Sequence, residues 1–580
     1  MKLKHATSYL PLILSALASA HAATVTRTGT ADILTAAAAW SPAAAPTVAD
    51  TATWDGSSTL ANATTALTAA LTWGGLNVSA ASGNVSMAFT GNFVSNFGAI
   101  NTGAQNLAIT TGAANSTLTF TSVTGTGTLT LHNGTANLQM TQLNTANALN
   151  FNGTLALRGG NATTSAGTTA GSFFYLGRTT GITQASGTAF ALDTGSSTTS
   201  AKDVILDGDA WNGKTLNLTS LTGFGSLRSD SGSAGLKTLH IDQAADTTFN
   251  GLILSHASTG GIVRRLALEK HGLGKLTLAG LVGRQTASAS TTLGADIDLS
   301  VNAGTLVLTA QNTRTGATTI ASGATLQAGD GGGSGLIGGS AVTNNGALVF
   351  NYGSGANVTI PNVISGNGSL SKTGTGVVAF TGNSSLFSGN IDLAAGSIRL
   401  GPSVGSGVLT VRDGAFLTVG LAATNGTSQA GSLVLEDNSE SDFRIGLAND
   451  SIVLSGTVTA PPTGPHLINI LGTPTSGGTI KLIDYTGTPL GTTEFSRFAL
   501  EAPPGAATYQ LVNNTADTSI DLLITLEDQL WTGSTDGNWD ASTTNWAMAG
   551  APAVPVIFNA EHPSVFNDNP TTSAVIVGTG

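Results

Sequence analysis

The 580-residue sequence contains no cysteine. That excludes a disulfide framework, a Cys-x-x-Cys redox centre, a thiol nucleophile and every thiolate-ligated zinc or iron-sulfur site. Charge is scarce too: Asp, Glu, Lys and Arg together make up 9% of the chain, where about 25% is ordinary for a globular domain. The 21 basic residues are outnumbered by 32 acidic ones, giving a formal charge of -11. Such a chain has no basic surface with which to neutralise a phosphate backbone, so nucleic acid is not an expected partner. Aromatics are 5%, and helical periodicity is nearly absent. Beyond the first 22 residues no run approaches the roughly 18 uninterrupted apolar residues of a membrane-spanning helix.

What is abundant is glycine, at 76 residues, and small or branched apolar residues, which bring the hydrophobic share to 41%. That share is too high for a disordered chain, so an apolar core is expected. Residues 1–22 read as a secretory signal: Lys2 and Lys4 precede an apolar run from Tyr9 to Leu17 that closes at Ala20-His21-Ala22. Cleavage before Ala23 is the favoured reading, with Ala18-Ser19-Ala20 as a second site, and loss of the two lysines takes the charge from -11 to -13. The protein is therefore expected to be exported, to the extracellular space or the outer cell surface.

From Ala23 onward the pattern is one of short strands with period-2 alternation, broken by Gly, Asn and Ser. Ser116-Thr117-Leu118-Thr119-Phe120, Thr128-Leu129-Thr130-Leu131 and Thr215-Leu216-Asn217-Leu218 each put apolar residues on one face and polar ones on the other. The chain also repeats itself. Leu268-Glu269-Lys270-His271-Gly272-Leu273-Gly274-Lys275-Leu276-Thr277-Leu278 matches Leu370-Ser371-Lys372-Thr373-Gly374-Thr375-Gly376-Val377-Val378-Ala379-Phe380 as L-x-K-x-G-x-G-x-[LV]-x-[LF]. A second unit, F-x-G-x-h-x-L or close to it, starts at Phe151, Phe249 and Phe387. A third, G-x-[LI] after a small-residue turn, occurs at Gly304-Thr305-Leu306, more loosely at Ala324-Thr325-Leu326, and at Gly396-Ser397-Ile398. These units predict an all-β chain: a parallel β-helix solenoid with β-rich terminal caps, each coil burying its apolar face only by stacking on the next. At about 20–25 residues per coil, residues 80–450 would hold about 15–18 coils and extend about 80 Å.

Residues 23–79 carry Trp40, Trp54 and Trp73 and are expected to form an N-terminal cap over the exposed end of the array. Residues 451–528 have longer strands and Pro-rich connections, expected to form a β-rich C-terminal segment, sandwich-like or capping. Residues 529–580, opening at Leu530-Trp531-Thr532-Gly533 and containing Asp536-Gly537-Asn538-Trp539-Asp540 and Asn545-Trp546, look like the start of a further repeat module, cut short as in a truncated gene or fragment.

These motifs resemble the autotransporter-associated β-strand repeat proteins of bacteria. The run from Gly304 to Leu326 is similar to the family's repeat, read as G-T-L-x-L-x-G-x-N-x-[YF]-x-G-x-T-x-I-x-x-G-x-L. It departs at Ala310, where Gly is usual, at Arg314, where an aromatic is usual, and by one extra residue between Gly323 and Leu326. Lys372 to Ile398 is a second, better-spaced copy, and the stretches around Trp40 to Gly56, Asn449 to Gly456 and Leu482 to Gly487 are similar as well. The resemblance implies a right-handed β-helix of the pectin-lyase-like shape and an exported protein held at the outer membrane by a barrel or sorting tail, neither of which this sequence displays.

Candidate chemistry is sparse. A β-helix enzyme acting on polysaccharide would need paired carboxylates, or clustered carboxylates for Ca²⁺ with a basic residue to abstract a proton. Lys202, Asp203, Asp207 and Asp209 form the densest such cluster, with Trp211 nearby as a residue that could stack on a sugar; Glu436, Asp437, Glu440 and Asp442 form another acidic run. Both are read as solvated loops and Trp211 as a coil anchor. Beyond the two in the leader, the histidines are His132, His240, His256, His271, His466 and His562, with no H-x-x-x-H or H-E-x-x-H spacing. Gly329-Asp330-Gly331-Gly332-Gly333-Ser334-Gly335 lacks the Gly-Lys-[Ser/Thr] of a phosphate loop and the G-G-x-G-x-D of calcium repeats. Gly401-Pro402-Ser403-Val404-Gly405 fits G-x-S-x-G but sits between strands with no helix to follow. Both are read as turns. No catalytic, cofactor-binding or metal-binding residue is assigned, and no cofactor is expected. The expected function is a secreted or surface-displayed structural or adhesive β-helix whose hydroxyl and amide rows engage glycans or cell-surface and matrix components. The alternative is a β-helix polysaccharide-binding or polysaccharide-degrading enzyme, a lyase or glycoside hydrolase.

Overall fold

The structure is a computed structural model. It describes the chain except for residues 1–22, 28–33, 35–36, 56–63, 68–69, 79–84, 90–93, 112–116, 134–137, 141–147, 159–172, 177–183, 185–187, 196–202, 207–211, 230–234, 257–264, 286–295, 340, 422–425, 447, 502–506, 537, 550, 561, 567–575 and 578–580. The expected leader thus lies outside the described residues. Two compact units are distinguished, Met1–Asn161 with Gly171–Phe190, and Ala162–Ala170 with Ala191–Gly580.

In the first unit, Thr24–Arg27, Thr51–Trp54, Thr72–Val78, Val94–Asn101, Thr117–Gly125 and Ala148–Phe151 form one parallel sheet. Thr64–Leu67, Val85–Phe89, Leu107–Thr111, Thr128–Asn133 and Thr154–Arg158 form a second. The chain alternates between the two sheets, so each strand lies against one from the neighbouring turn; Asn77 and Asn101, 24 residues apart, share an amide hydrogen bond of 2.9 Å. The outer edge of Thr24–Arg27 is covered by the antiparallel pair Trp40–Ser41, which hides backbone groups that would otherwise template aggregation. Beneath it Trp40, Trp54, Trp73 and Phe97 form one buried cluster, with ring centroids 5.4 Å apart for Trp40–Trp54 and 5.5 Å for Trp73–Phe97.

In the second unit successive coils lay their strands onto parallel ladders on three faces. The first runs through Thr215–Thr222, Lys237–Asp242, Leu266–His271, Ile297–Val301, Thr318–Ile320, Val342–Asn344 and Ile364–Ser365. The second runs from Thr247–Phe249 through Lys275–Leu278 and Thr305–Leu308 to Ser432–Leu435 and Val458–Thr459. The third face carries Asp203–Leu206, Leu227–Ser229, Ile253–His256 and Val282–Gln285. Further along come the strands from Asn357–Ile360 through Glu440–Arg444 to Phe498–Glu501. This is an all-β parallel β-helix. Among the described residues the helical content is the single turn Thr492–Phe495 and the 3-10 turn Ala37–Ala39.

The core of the second unit is a register effect. Leu276, Leu306, Leu326, Leu348, Leu370, Ile391, Leu409 and Leu433 are successive partners on the second ladder, all buried. At about 1.5–3 kcal/mol for each fully buried aliphatic side chain, such a column can hold the stack together without disulfides. Antiparallel pairing enters where Gly478–Asp484, Ser519–Leu526 and Ala507–Asn514 come together. Beyond them Trp531, Trp539, Trp546, Phe558 and Phe566 pack as an aromatic cluster. Buried Asn545 closes its loop: its amide carbonyl accepts from the backbone N–H of Thr535 and Asp536, and its amide NH₂ donates to Asp536.

The repeated motifs acquire physical reasons. In L-x-K-x-G-x-G, the Lys270 ammonium is fully buried and donates to the carbonyls of His271 (2.6 Å), Gly272 (2.9 Å) and Ala303 (3.3 Å). Lys372 does the same to Thr373 (2.8 Å), Gly374 (2.7 Å) and Ala395 (3.1 Å). The first glycine after each lysine, Gly272 or Gly374, has φ of +72° or +70°, a conformation costly for other residues. In F-x-G, a Cβ on Gly153, Gly251 or Gly389 would strike both the motif's own Phe ring and a carbonyl of the preceding coil. Arg314 stands where the resemblance leads one to expect an aromatic. Its buried guanidinium donates to the carbonyls of Ile297 (3.2 Å), Gly316 (3.0 Å) and Ala317 (3.2 Å) and to the Thr318 hydroxyl. Burial pulls its pKa down to about 10.

Candidate functional site

The acidic run at Lys202 to Asp209 is only partly described: Lys202, Asp207, Asp209 and Trp211 lie outside the described residues. Asp203 is buried at 1% exposure, and its carboxylate accepts the Ser226 backbone N–H at 2.8 Å. It serves the join between two coils rather than a groove.

The second acidic run is spread over inter-coil contacts. Glu436 and Asp392 both hold Arg412, at 2.6 and 2.7 Å. Asp437 accepts the backbone N–H of Thr463 and Gly464 and the Thr463 hydroxyl, which lower its pKa. Asp442 accepts the Thr418 hydroxyl at 3.1 Å and the Asn469 amide at 3.2 Å. Glu440 is raised, by burial first and then by the charges of Asp442 and Glu501. Ser403 is buried, with its hydroxyl accepting the Gly405 N–H at 3.2 Å, as in a turn. In the glycine run, Asp330 accepts the Gly332 N–H at 3.2 Å, and the Ser334 hydroxyl donates to the Thr309 carbonyl at 2.8 Å.

Histidine spacing pointed to no ligand set, yet the coil register brings two of these residues together. On the first ladder of the second unit, His240 is the register partner of Glu269, and Asp242 that of His271. Alternation along Lys237–Asp242 and Leu266–His271 sends Leu239, Ile241, Leu268 and Lys270 inward and these four residues outward. The two imidazoles stack with centroids 4.0 Å apart and planes 19° from parallel. Glu269 Oε2 is 3.5 Å from His240 Nδ1 and 3.5 Å from His271 Nε2. From the next coil, the Asn302 amide lies 2.9 Å from His271 Nε2. The three side chains are 27%, 34% and 30% exposed, for His240, Glu269 and His271 in turn. That Glu269 on the next coil faces His240 was not readable from sequence alone. The available signal was the alignment of Leu239-His240-Ile241-Asp242 with Leu268-Glu269-Lys270-His271, both of which alternate apolar or aliphatic with polar.

His466 is of another kind. His466 is fully buried and edge-on to Phe498, and its Nδ1 lies 2.8 Å from the Ser439 hydroxyl. Because that hydroxyl donates to the Glu436 carbonyl at 2.5 Å, His466 Nδ1 is the N–H donor. Burial pushes its pKa down to about 3.

No protein-family model matches the chain, and no curated protein matches it. Among solved structures, the crystal structure of the Haemophilus influenzae Hap adhesin is similar at 12% sequence identity with a TM-score of 0.27. The match covers 82% of this chain and 63% of that one, so the chain spans less than two thirds of that structure's length.

Proposed function

We propose that the protein is an exported, surface-displayed β-helix that acts as a spacer and adhesive surface, engaging glycans or matrix components through many weak, repeated contacts. The observation that supports this reading best is the polar ladder on its outer edges. Side chains of successive coils bond to one another there: Thr319 to Ser300 at 2.9 Å, Thr427 with Ser451 at 2.9 Å, and Asn101 to Asn77 at 2.9 Å. Rows of hydroxyl and amide groups at a coil-to-coil pitch of about 4.8 Å offer a saccharide chain the same contact many times, which raises avidity without a deep pocket.

Export is supported by the signal-like residues 1–22 and by the resemblance of the repeats, and no helix among the described residues is long and apolar enough to cross a membrane. The polysaccharide-degrading alternative draws less support, because Asp203 is buried against backbone and the carboxylates of Glu436, Asp437 and Asp442 are engaged by neighbours on adjoining coils. Retention of the purified protein on a glycan array, together with its recovery at the cell surface in fractionated cells, is the expected result. No saccharide retained above background would remove the adhesive reading, and reducing-sugar release abolished by joint substitution of Asp203, Asp207 and Asp209 would favour the enzyme.

A further inference from the structure

We infer that His240, Glu269 and His271 form a binding site for a divalent transition-metal ion of the zinc type, which clips consecutive coils of the second unit together. The convergence of two imidazoles and a carboxylate on one outward face carries the argument. A His240 Nδ1–H donating to a carboxylate would approach to about 2.7–2.9 Å, whereas Glu269 Oε2 stands 3.5 Å from it and 3.5 Å from His271 Nε2. That is too long for a good hydrogen bond. It is close to the edge of a tetrahedron, about 3.3 Å when metal–ligand bonds are about 2.0–2.1 Å. One ligand atom from each of the three residues lies within 4.8 Å of the other two.

The donor set selects the ion class. Two imidazoles and one carboxylate suit zinc, cobalt, nickel and copper, whereas calcium and magnesium take oxygen ligands almost exclusively. The set is also primed at one ring. An amide NH₂ has no lone pair to offer, so with Asn302 Nδ2 2.9 Å from His271 Nε2 that nitrogen is the acceptor and holds the lone pair a metal needs. Turning the Asn302 amide over would place its carbonyl oxygen on the same side, and Asp242 stands beside His271 in register as a further carboxylate. One ion must lie in the plane of both rings, which the stack at 4.0 Å does not allow. Binding therefore rotates one imidazole out of the stack, and both rings have an exposed edge with which to do so.

Its consequence is mechanical. His240 and the pair Glu269 and His271 belong to successive coils, joined so far by backbone pairing and by the core, and an ion held between them adds a cross-link on the outer face. Because the ion binds only the folded arrangement, it raises stability by mass action.

The test uses the full chain freed of metal by chelation and titrated with Zn²⁺ by calorimetry, and with Co²⁺ by its visible absorption. One ion per chain, and a melting temperature that rises with Zn²⁺ but not with Ca²⁺, are expected. His240→Ala and His271→Ala should each weaken binding by at least about tenfold, as loss of even a supporting residue does, while His132→Ala should leave it unchanged. Circular dichroism of the variants separates lost binding from lost fold. Absence of stoichiometric binding, or equal binding by folded His240→Ala and the parent, overturns the site; glycan retention, which the site does not require, is read separately.

Discussion

The Lys372 ammonium sits among three carbonyls with no carboxylate in its cage, and burial lowers its pKa to about 8. Below that pH both the folded and the unfolded chain carry the proton. Between about 8 and the ordinary lysine value of 10.5, only the unfolded chain does, so this group makes stability rise as pH climbs through that window. Urea unfolding at about pH 7.5 and pH 10 should show this rise in the parent and its loss from Lys372→Met. An identical pH dependence in both would mean that the cage does not hold a desolvated ammonium. His466 gives a slope of the same sign in a lower window. It is neutral when folded, with a pKa of about 3 against the usual 6.5, so its contribution is lost as pH falls below 6.5. At about 1.4 kcal/mol per unit, the loss reaches about 2–3 kcal/mol by about pH 4.5. His466→Leu should flatten that acid limb, measured as the difference in unfolding free energy between about pH 7 and 4.5.

At the scale of elements, the two copies of L-x-K-x-G-x-G do not occupy the same place in the coil. Leu268 belongs to the first ladder and Leu370 to the second, so Lys270 and Lys372 turn different corners. The same holds for F-x-G: Phe249 ends a strand of the second ladder, whereas Phe387 precedes one of its strands. The motifs encode a corner, and any corner can use them. That is why strand character and the stacked solenoid were legible in the sequence, while the register that makes the leucine column and the lateral partners of His240 were not. Bonded partners on adjacent coils are 19 residues apart at Ser300 and Thr319 but 31 apart at His271 and Asn302, and with no fixed period a motif search cannot align outward-facing residues. The corners also predict where the stack is least tolerant. A Cβ on Gly389 would lie 1.5 Å from the Gly368 carbonyl oxygen and 2.7 Å from the Phe387 ring. The backbone of one coil cannot move without its neighbours, so Gly389→Ala should cost about 3 kcal/mol or more, read as a shift in the urea midpoint. Gly333→Ala, where a Cβ meets nothing within 4 Å, should shift it little.

Taken whole, the chain has few charges with which to hold a partner: 53 ionisable acidic and basic side chains among 580 residues, with a net charge of -11. Several of them are spent within the fold, as at Arg265 with Asp298, Arg412 with Asp392 and Glu436, and Lys481 with Asp484. Attachment through charge would weaken sharply with salt, because the screening length falls from about 10 Å at 0.1 M to about 3 Å at 1 M. Attachment through hydroxyl and amide ladders would not. Retention of the protein on a saccharide-coated surface should therefore change by less than about twofold between about 0.1 and 1 M NaCl. Its dependence on repetition gives a second, independent expectation. A monosaccharide occupies one contact at a time and should compete weakly, whereas a long oligosaccharide of the same sugar bridges many coils and should compete about a hundredfold better per sugar unit. Salt-labile retention would assign adhesion to a charged patch, and equal competition by monomer and polymer would assign it to a single pocket; either result removes the ladder as the adhesive surface.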